Sequence, residues 1–386
     1  MLDLSQIVPD IQAMGQEARR RGDRAASALE TALAQARLGD EAWADAIAQK
    51  QGIKPPWLVA DCKGHAPGAA WPLPSDAPTE YTVLATDGSQ IPLDRHAAAP
   101  CFLLNVGEIA LHYGSGERPR LASQARLFFR DDDIYEGKDG AQNIIGEKQI
   151  KTRRLLAESD ALAGLIAEHS DRHAVALVDD PLILVFADQR DTEREQRETV
   201  GRFCEMLGTA RTNSTPVAGY ISRPSARDVV GALRLSLCGD NCAHAVPDLC
   251  APLSHLTDAQ IFERLLPKPG DRSPVFGSAA RSLAHYPEAQ RVAFFYLNAG
   301  PEVARIEVPR WVAEECDLLD RVHVLCFDQA QKGQGYPVAL SEAHEQAVVR
   351  GPEREAFQTL VQNAFVRQQL PVLQTRKALA KRTRVL

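Results

Sequence analysis

The stretch that decides the fold is Tyr81–Ile91, YTVLATDGSQI, an apolar run that reaches an acidic turn. The part from Tyr81 to Thr86 is rich in β-branched and apolar residues, which favour a strand. The strand is predicted to stop at Asp87, because the Gly-Ser pair that follows is typical of a turn. A carboxylate at the end of a rigid strand is well placed to hold a metal ion. Asp87 is therefore the first candidate site residue.

A second acidic position lies in the most apolar stretch of the chain, residues 174–186 with the sequence AVALVDDPLILVF. Such runs are typical of a strand that is buried on both faces of a sheet. Burying Asp179 in this strand costs free energy unless a cation compensates. A divalent ion would compensate, and the competing explanation is a salt bridge to one of three arginines, Arg153, Arg154 or Arg190. Side chains alternate along a strand, so Asp180 is predicted to face away from Asp179.

Helices and strands alternate around these two positions. Residues 147–168 have helical apolar periodicity, with Glu158 predicted to lean over the sheet toward Asp179. Strands are expected at 101–106, 108–113, 124–129 and 216–221, with a hairpin at 292–297 and 304–308. Further helices are expected at 191–207, 225–235 and from 341 onward. This order predicts an α/β fold with a mixed sheet flanked by helices.

The chain is predicted to have three parts. Residues 1–53 form an N-terminal helical segment, with helical apolar spacing and abundant alanine. Residues 54–80 are rich in proline and form a linker or a chain wrapped over the surface. Residues 81–386 form the domain that carries the acidic motifs.

Composition limits the class of protein. The net charge of −7 counts against a protein that coats nucleic acid non-specifically, although metal-binding carboxylates add negative charge themselves. No apolar run is long enough to cross a membrane, and the N-terminus lacks the pattern of a signal peptide. Eight scattered cysteines favour free thiols in a reducing cytoplasm over a disulfide framework.

Asp87, Glu158 and Asp179 could together hold Mg²⁺ or Mn²⁺, because hard cations prefer carboxylate oxygens. Two such ions stabilise the attacking and leaving oxygens of a phosphoryl displacement. His344 could add a ligand or a group that transfers a proton to the leaving oxygen. Each residue also has an ordinary explanation: a turn at Asp87, a solvated helix face at Glu158 and a packed or exposed ring at His344.

The motifs together resemble the NurA nuclease family, in the family's order from about residue 81 to 357. Its first acidic motif is similar to residues 86–91 with His96, and the strand that follows is similar to residues 102–107. Its second acidic motif is similar to residues 177–183, and the next strand to residues 219–222. Its C-terminal signature is similar to residues 305–309, 335–340 and 342–344.

This resemblance implies a ribonuclease-H-like fold with Mn²⁺- or Mg²⁺-dependent exonuclease and single-strand endonuclease activity on DNA. It also implies a homodimer that processes DNA ends with HerA, a hexameric DNA-translocating ATPase. The family's acidic residues correspond to Asp87 and Asp179, its helical glutamate to Glu158 with Glu147 as the fallback, and its histidine to His344.

One departure is that Asp180 stands where the family has glycine. An extra carboxylate could alter metal affinity, face away from the metals, or disable the site. The alternative function is therefore a catalytically inactive adaptor of the same fold that docks a DNA-motor ATPase. A third hypothesis is a Piwi-like or resolvase-like member of the broader fold group.

Other charged and metal-binding side chains extend the predictions. Lys151, Arg153 and Arg154, on the turn before Glu158, are candidate contacts for DNA phosphates. The basic tail from Arg376 to the C-terminus could touch phosphate or an acidic partner, or be a solvated helix end. A group of cysteines and a histidine fits no common zinc spacing, so free thiols are favoured over zinc at Cys238, Cys242, His244 and Cys250.

Overall fold

The structure is a computed structural model, and it describes most of the chain in two compact units. The described residues are 4–50, 52–53, 55–75, 78–94, 99–136, 143–170, 172–185, 193–238 and 251–370. The first unit comprises Met1–Ala77, Asp179–Ala187 and Val217–Pro337. The second unit comprises Pro78–Val178, Asp188–Pro216 and Val338–Leu386.

The strands are numbered in chain order. They are β1 (Tyr81–Ile91), β2 (Phe102–Tyr113), β3 (Arg120–Phe128), β4 (Tyr135–Glu136), β5 (Asn143–Ile144), β6 (Ala174–Val178), β7 (Val217–Ile221), β8 (Phe276–Gly277), β9 (Val292–Asn298) and β10 (Val303–Pro309).

The α-helices are numbered in the same way. They are α1 (Val8–Ala36), α2 (Asp40–Ala48), α3 (Asp131–Ile134), α4 (Glu147–Glu168), α5 (Glu193–Thr212), α6 (Asp228–Leu237), α7 (Asp258–Leu265), α8 (Arg310–Ala313), α9 (Cys316–Lys332), α10 (Val338–Ala347) and α11 (Gly351–Arg367).

The second unit contains four neighbouring strands, in the order β3-β2-β1-β6. The pairs β3–β2 and β2–β1 are antiparallel, whereas β1 and β6 are parallel. Helices α4 and α10 both pack against β1 and β2, and α5 packs against α4. The prediction of a mixed sheet flanked by helices is therefore confirmed.

The first unit contributes the strands β7-β10-β9-β8, whose neighbouring pairs β10–β7, β10–β9 and β8–β9 are antiparallel. Its core joins these strands to α6, α7 and the N-terminal helices, with Trp43, Phe262 and Phe294 fully buried. The predicted N-terminal helical segment is confirmed as helix in α1 and α2, and the second half of α1 packs into this core.

Several predicted elements match the structure closely. Helix α4 has the predicted bounds, and β7 and the β9–β10 hairpin lie where they were expected. The proline-rich stretch has no helix or longer strand among its described residues, but isolated bridges join Asp61 to Gly277 and Trp71 to Arg272. That stretch is thus wrapped along the first unit through backbone hydrogen bonds.

Three strand predictions are wrong. β1 does not stop at Asp87 but continues to Ile91, because its backbone stays paired with β2 through the Gly-Ser pair. β2 is one strand rather than two, because Gly107 pairs with Asp87 inside the ladder. β6 ends at Val178, so Asp179 and Asp180 follow the strand instead of lying within it.

The cysteine prediction fails at one position. Cys238 is disulfide-bonded, so its sulfur is not a free thiol, whereas the described cysteines Cys62, Cys101, Cys204, Cys316 and Cys326 are free. The other proposed zinc residues Cys242, His244 and Cys250 lie outside the described residues, as does the basic tail. Among the helices that the structure describes, none is long and apolar enough to cross a membrane.

Candidate functional site

Asp87 lies inside β1 with a carboxylate that is mostly shielded from solvent. Its side chain is 22% exposed. The Oδ1 atom accepts a hydrogen bond from the Gly88 backbone N–H at 2.7 Å, and Oδ2 lies 2.8 Å from Nδ1 of His344. The structure therefore brings together two of the predicted site residues that are 257 positions apart in the chain.

His344 is held opposite Asp87 because its helix is fixed to β1 and β2. The Asn105 amide donates to the carbonyls of Ala347 at 2.8 Å and Gln346 at 3.2 Å, and the Ser89 hydroxyl also donates to Ala347. These bonds satisfy carbonyls at the C-terminal end of α10, which have no partner inside the helix. The last turn of α10, which carries His344, is thereby anchored to the sheet.

Gly107 lets α10 approach this closely. A Cβ atom on Gly107 would overlap the carbonyl oxygen of Ala343 and would lie 2.9 Å from the backbone nitrogen of Ala347. Gly107 is also the direct cross-strand partner of Asp87. The absence of a side chain at this position therefore makes room for the helix that carries His344.

Glu158 lies against the same strand from α4. The Thr86 hydroxyl donates to the Glu158 carbonyl at 3.1 Å. A Cβ atom on Gly88 would overlap the Glu158 carboxylate and would lie 2.9 Å from its Cδ atom, so the carboxylate occupies the space over Gly88. The Glu158 side chain is 12% exposed.

The carboxylates of Asp87 and Glu158 flank β1 from opposite faces. Asp87 and Ser89 contact α10, whereas the intervening Gly88 and Thr86 contact Glu158 of α4, as alternation along a strand requires. The parallel pairing with β6 ends at Thr86–Val178, while the pairing with β2 continues to Ile91. The two carboxylates thus lie beside the part of β1 that extends past the end of β6.

Arg154 is the cation that neighbours Glu158. Its Nε atom lies 3.3 Å from Oε1 of Glu158, and its NH1 group donates to the Gly88 carbonyl at 2.9 Å. The guanidinium therefore bridges the helix and the strand next to the site. Arg154 was predicted to contact DNA, and in the structure its guanidinium contacts the Gly88 carbonyl and the Glu158 carboxylate.

The other two predicted DNA contacts differ in their exposure. Lys151 is exposed, and its Nζ atom lies 2.9 Å from Oε1 of Glu147 on the surface of α4. Glu147 is the first residue of that helix. The Arg153 guanidinium donates to the Asp133 carbonyl at 2.7 Å and lies 5.7 Å from the centre of the Phe102 ring. Of the three, Lys151 presents its charge most openly to solvent.

Val178 is the last residue of β6, and it pairs with Thr86 of β1. Asp179 directly follows Val178 in the chain, as Asp87 follows Thr86. Asp179 and Asp180 are both exposed. The prediction that Asp179 is buried in a strand is therefore wrong, as is the argument from the cost of burying its charge. The alternation predicted for Asp180 is wrong for the same reason, because the strand ends before either residue.

Among the described residues, no group of three or more His, Cys, Asp or Glu side chains is arranged to hold a metal ion. The structure brings Asp87 to His344 and places Glu158 beside Gly88. The joint site of Asp87, Glu158 and Asp179 stays a prediction.

The first unit contains a buried charged cluster that the sequence analysis missed. Arg305 donates to Glu307 at 2.8 Å and to Asp228 at 3.3 Å, and Tyr296 donates to Asp258 at 2.7 Å. The signal was present: Arg305 and Glu307 are opposite charges two positions apart in an apolar strand, so they share one face.

The comparisons with known proteins found one matching family model and several solved structures of similar fold. The family model of the NurA domain matches residues 81–349. The structure matches the crystal structure of the NurA nuclease from Sulfolobus solfataricus with a TM-score of 0.50 and 14% identity, over 78% of this chain and 88% of that chain. No curated protein matches the sequence.

Two further NurA crystal structures match at 10% identity. One matches with a TM-score of 0.39 over 75% of this chain and 90% of that chain. The other, solved with manganese, matches with a TM-score of 0.34 over 76% of this chain and 91% of that chain.

Proposed function

Because the chain belongs to the NurA family of nucleases, we propose that it is a divalent-metal-dependent deoxyribonuclease that hydrolyses phosphodiester bonds. The observation that carries this proposal is the pair of Asp87 and His344, 2.8 Å apart on elements that are fixed to each other. Such an acid–histidine pair on a rigid sheet is suited to handling a metal ion or a proton during phosphoryl transfer.

The donor atoms fit Mn²⁺ or Mg²⁺ in chemical type. Asp87, Glu158 and Asp179 offer carboxylate oxygens, which hard divalent cations prefer. The side chains of Asp87 and Glu158 are partly accessible, and that of Asp179 is exposed, so none is sealed from solvent. These three residues would hold the ions. The bound ions would stabilise the attacking and leaving oxygens of an in-line displacement at phosphorus.

The protein groups would orient the reactants and move the proton. The Asp87 carboxylate holds Nδ1 of His344, so the ring presents its other nitrogen, Nε2, for proton exchange. His344 would therefore hold or release a proton at Nε2 next to the reacting phosphate. Arg154 neutralises Glu158 and fixes it against Gly88.

The finer assignment follows the family. The proposed substrate is DNA, with exonuclease action at duplex ends and endonuclease action on single strands. The proposed partner is a HerA-type hexameric ATPase that delivers DNA ends to a homodimer of this chain, in the cytoplasm. Lys151 is exposed and would contact a phosphate, and Arg153 and Arg154 would add positive charge beside it.

The first test is cleavage of labelled single-stranded DNA with Mn²⁺ by the wild type and by the Asp87→Ala and Asp179→Ala variants, followed on a gel. Both variants are expected to lose at least about a hundredfold in rate, because each removes a charged group from the reacting centre. The matched control is Asp160→Ala, which removes an exposed carboxylate of α4 that pairs with Arg202 at 3.2 Å. The control is expected to keep wild-type activity.

Two outcomes would contradict the proposal. Retained cleavage in both site variants would remove the mechanism. A wild type that binds a HerA-type ATPase but cuts no DNA with any divalent metal would favour the inactive adaptor instead.

A further inference from the structure

The segment that carries Asp179 is an irregular loop with a buried second half. We call residues 179–185 the Asp179 loop. Asp179 and Asp180 are exposed, whereas Leu182, Ile183 and Leu184 are buried although they belong to no strand. Buried backbone outside a strand needs hydrogen-bond partners from elsewhere in the protein.

Tyr286 supplies two of those partners. Its hydroxyl donates to the Leu182 carbonyl at 2.8 Å and accepts from the Leu184 backbone N–H at 3.1 Å. The Tyr286 residue is 4% exposed, so both bonds are shielded from water. One side chain therefore clamps the loop on both sides of Ile183.

Glu307 holds the residue between those two bonds. Its Oε2 atom accepts from the Ile183 backbone N–H at 3.1 Å, and its Oε1 atom accepts from Arg305 Nε at 2.8 Å. The Arg305 guanidinium lies 3.6 Å from the centre of the Phe294 ring and is itself buried. A buried carboxylate needs a partner of opposite charge. Arg305 binds one oxygen of Glu307, and the other oxygen accepts the hydrogen bond from the loop.

The strand β7 packs against the start of the loop. A Cβ atom on Gly219 would lie 2.8 Å from the Asp180 carbonyl oxygen and 3.3 Å from the Leu182 backbone nitrogen. That separation is too short for a side chain, so the start of the loop lies directly on the backbone of β7. The loop is thus fixed from residue 180 to residue 184.

We propose that Tyr286 and Glu307 are positioning residues that hold the Asp179 loop so that the Asp179 carboxylate is preset for a divalent cation. This inference rests on the proposed function, in which Asp179 is a metal ligand. An exposed carboxylate on an unfixed loop would lose conformational freedom when it bound an ion, and that loss would weaken binding. Tyr286 and Glu307 fix the residues that follow Asp179 and so reduce that loss in advance.

The test compares Tyr286→Phe and Glu307→Gln with two matched controls. Tyr296→Phe also removes a buried hydroxyl, which donates to Asp258, and Asp228→Asn also removes a buried charge from Arg305. The Tyr296 hydroxyl bonds to Asp258 and the Asp228 carboxylate to Arg305, whereas Tyr286 and Glu307 bond directly to the loop backbone. Tyr296→Phe is therefore the control for Tyr286→Phe, and Asp228→Asn is the control for Glu307→Gln.

Two readouts are measured on the full chain: the Kd for Mn²⁺, from the electron paramagnetic resonance signal of the free ion, and hydrogen exchange at the Ile183 and Leu184 amides. Tyr286→Phe and Glu307→Gln are expected to speed exchange at these amides and to raise the Kd about tenfold. The controls are expected to change neither. Gly219→Ala, which presses on the loop without removing a hydrogen bond, is expected to act like the loop variants.

The outcomes separate this inference from the proposed function. Faster amide exchange in the loop variants with an unchanged Kd, or equal effects in variants and controls, would overturn the positioning role and leave the nuclease proposal intact. A wild type that binds no Mn²⁺, or an Asp179→Asn variant that binds it as tightly as the wild type, would overturn both.

Discussion

Gly88 shows how one missing side chain arranges the candidate site. The Glu158 carboxylate occupies the space over Gly88, next to Asp87 in the chain. Arg154 links Gly88 to Glu158, because it contacts both the Gly88 carbonyl and the Glu158 carboxylate. Any larger residue at position 88 must move Glu158, which is the far end of a flexible side chain and can move without unfolding the protein.

Gly88→Ala is therefore expected to lower DNA cleavage about a hundredfold, because small displacements of reacting groups cost that much in rate. The measurement is single-turnover cleavage with saturating Mn²⁺, alongside the melting temperature. The melting temperature is expected to change little. The matched control is Gly164→Ala on α4, where a Cβ atom would meet nothing within 4 Å and where alanine favours the helix. Equal activity in Gly88→Ala and the wild type would remove Glu158 from the mechanism.

The sequence singled out Asp87 and His344 as candidate site residues, and the structure places their side chains 2.8 Å apart, but the sequence misjudged the surroundings of Asp179. The contact of Asp87 with His344 joins distant parts of the chain, and only the family motifs pointed to both. The apolar residues after Asp179 suggested a continuous strand. They are buried outside a strand because their backbone groups bond to Tyr286 and Glu307, and no local pattern reveals these distant partners.

Helix α10 is the element that brings the histidine to the sheet. Asn105 donates to two carbonyls at its C-terminal end, and Gly107 provides the space beside it. His344 lies one turn before those carbonyls. The position of His344 therefore depends on Asn105 and Gly107 of β2.

Asn105→Ala is expected to lower the melting temperature by several degrees, since two hydrogen bonds worth about 1 kcal/mol each are lost. It is also expected to speed hydrogen exchange in α10 and to slow DNA cleavage about tenfold through His344. Asn213→Ala is the control, because that amide bonds to Thr209 of its own helix. Wild-type exchange in α10 of the Asn105 variant would show that the helix is held by other contacts.

The ends of elements were harder to predict than their existence. The Gly-Ser pair after Asp87 favours a turn, but continuous pairing with β2 from Tyr81 to Ile91 outweighs this local preference. The long helix α4 was predicted to the residue, because its apolar spacing extends over many turns and depends on no distant partner.

Two buried groups of the first unit give opposite pH dependences to the whole molecule. Burial raises the pKa of Asp258 from 3.8 to about 6, although backbone and Tyr296 hydrogen bonds lower it. Burial lowers the pKa of His323 from 6.5 to about 4, although a hydrogen bond to Gly270 raises it. Between pH 4 and 6 the folded protein holds the extra proton on Asp258, and the unfolded protein holds it on His323.

As the pH rises, the contribution of Asp258 to the free energy of unfolding therefore falls by about 3 kcal/mol. The contribution of His323 rises by about 3 kcal/mol over a similar pH range. The two effects nearly cancel in the wild type. Relative to the wild type, Asp258→Asn is expected to gain stability as the pH rises from about 4 to 6, and His323→Gln to lose it. Urea unfolding across this range measures both. Parallel pH profiles for all three proteins would contradict the pKa directions.

The sequence predicted the mixed sheet and its flanking helices from apolar patterns over long stretches, and it predicted the family from the order of several short motifs. It did not predict that the chain divides into two units whose segments alternate along the sequence. That division depends on which distant segments pack together, as when the N-terminal helices share a core with α6 and α7.

The proposed function requires Asp87 and Asp179 to bind the same divalent ions. Its most direct test is a Mn²⁺ titration of the wild type, Asp87→Asn, Asp179→Asn and the double variant, with the free ion followed by electron paramagnetic resonance. If the ions are shared, each single variant loses nearly all of the affinity that the double variant loses, so the effects are not additive. Additive losses, or an Asp179→Asn variant with wild-type affinity and stoichiometry, would show that the two carboxylates share no ion.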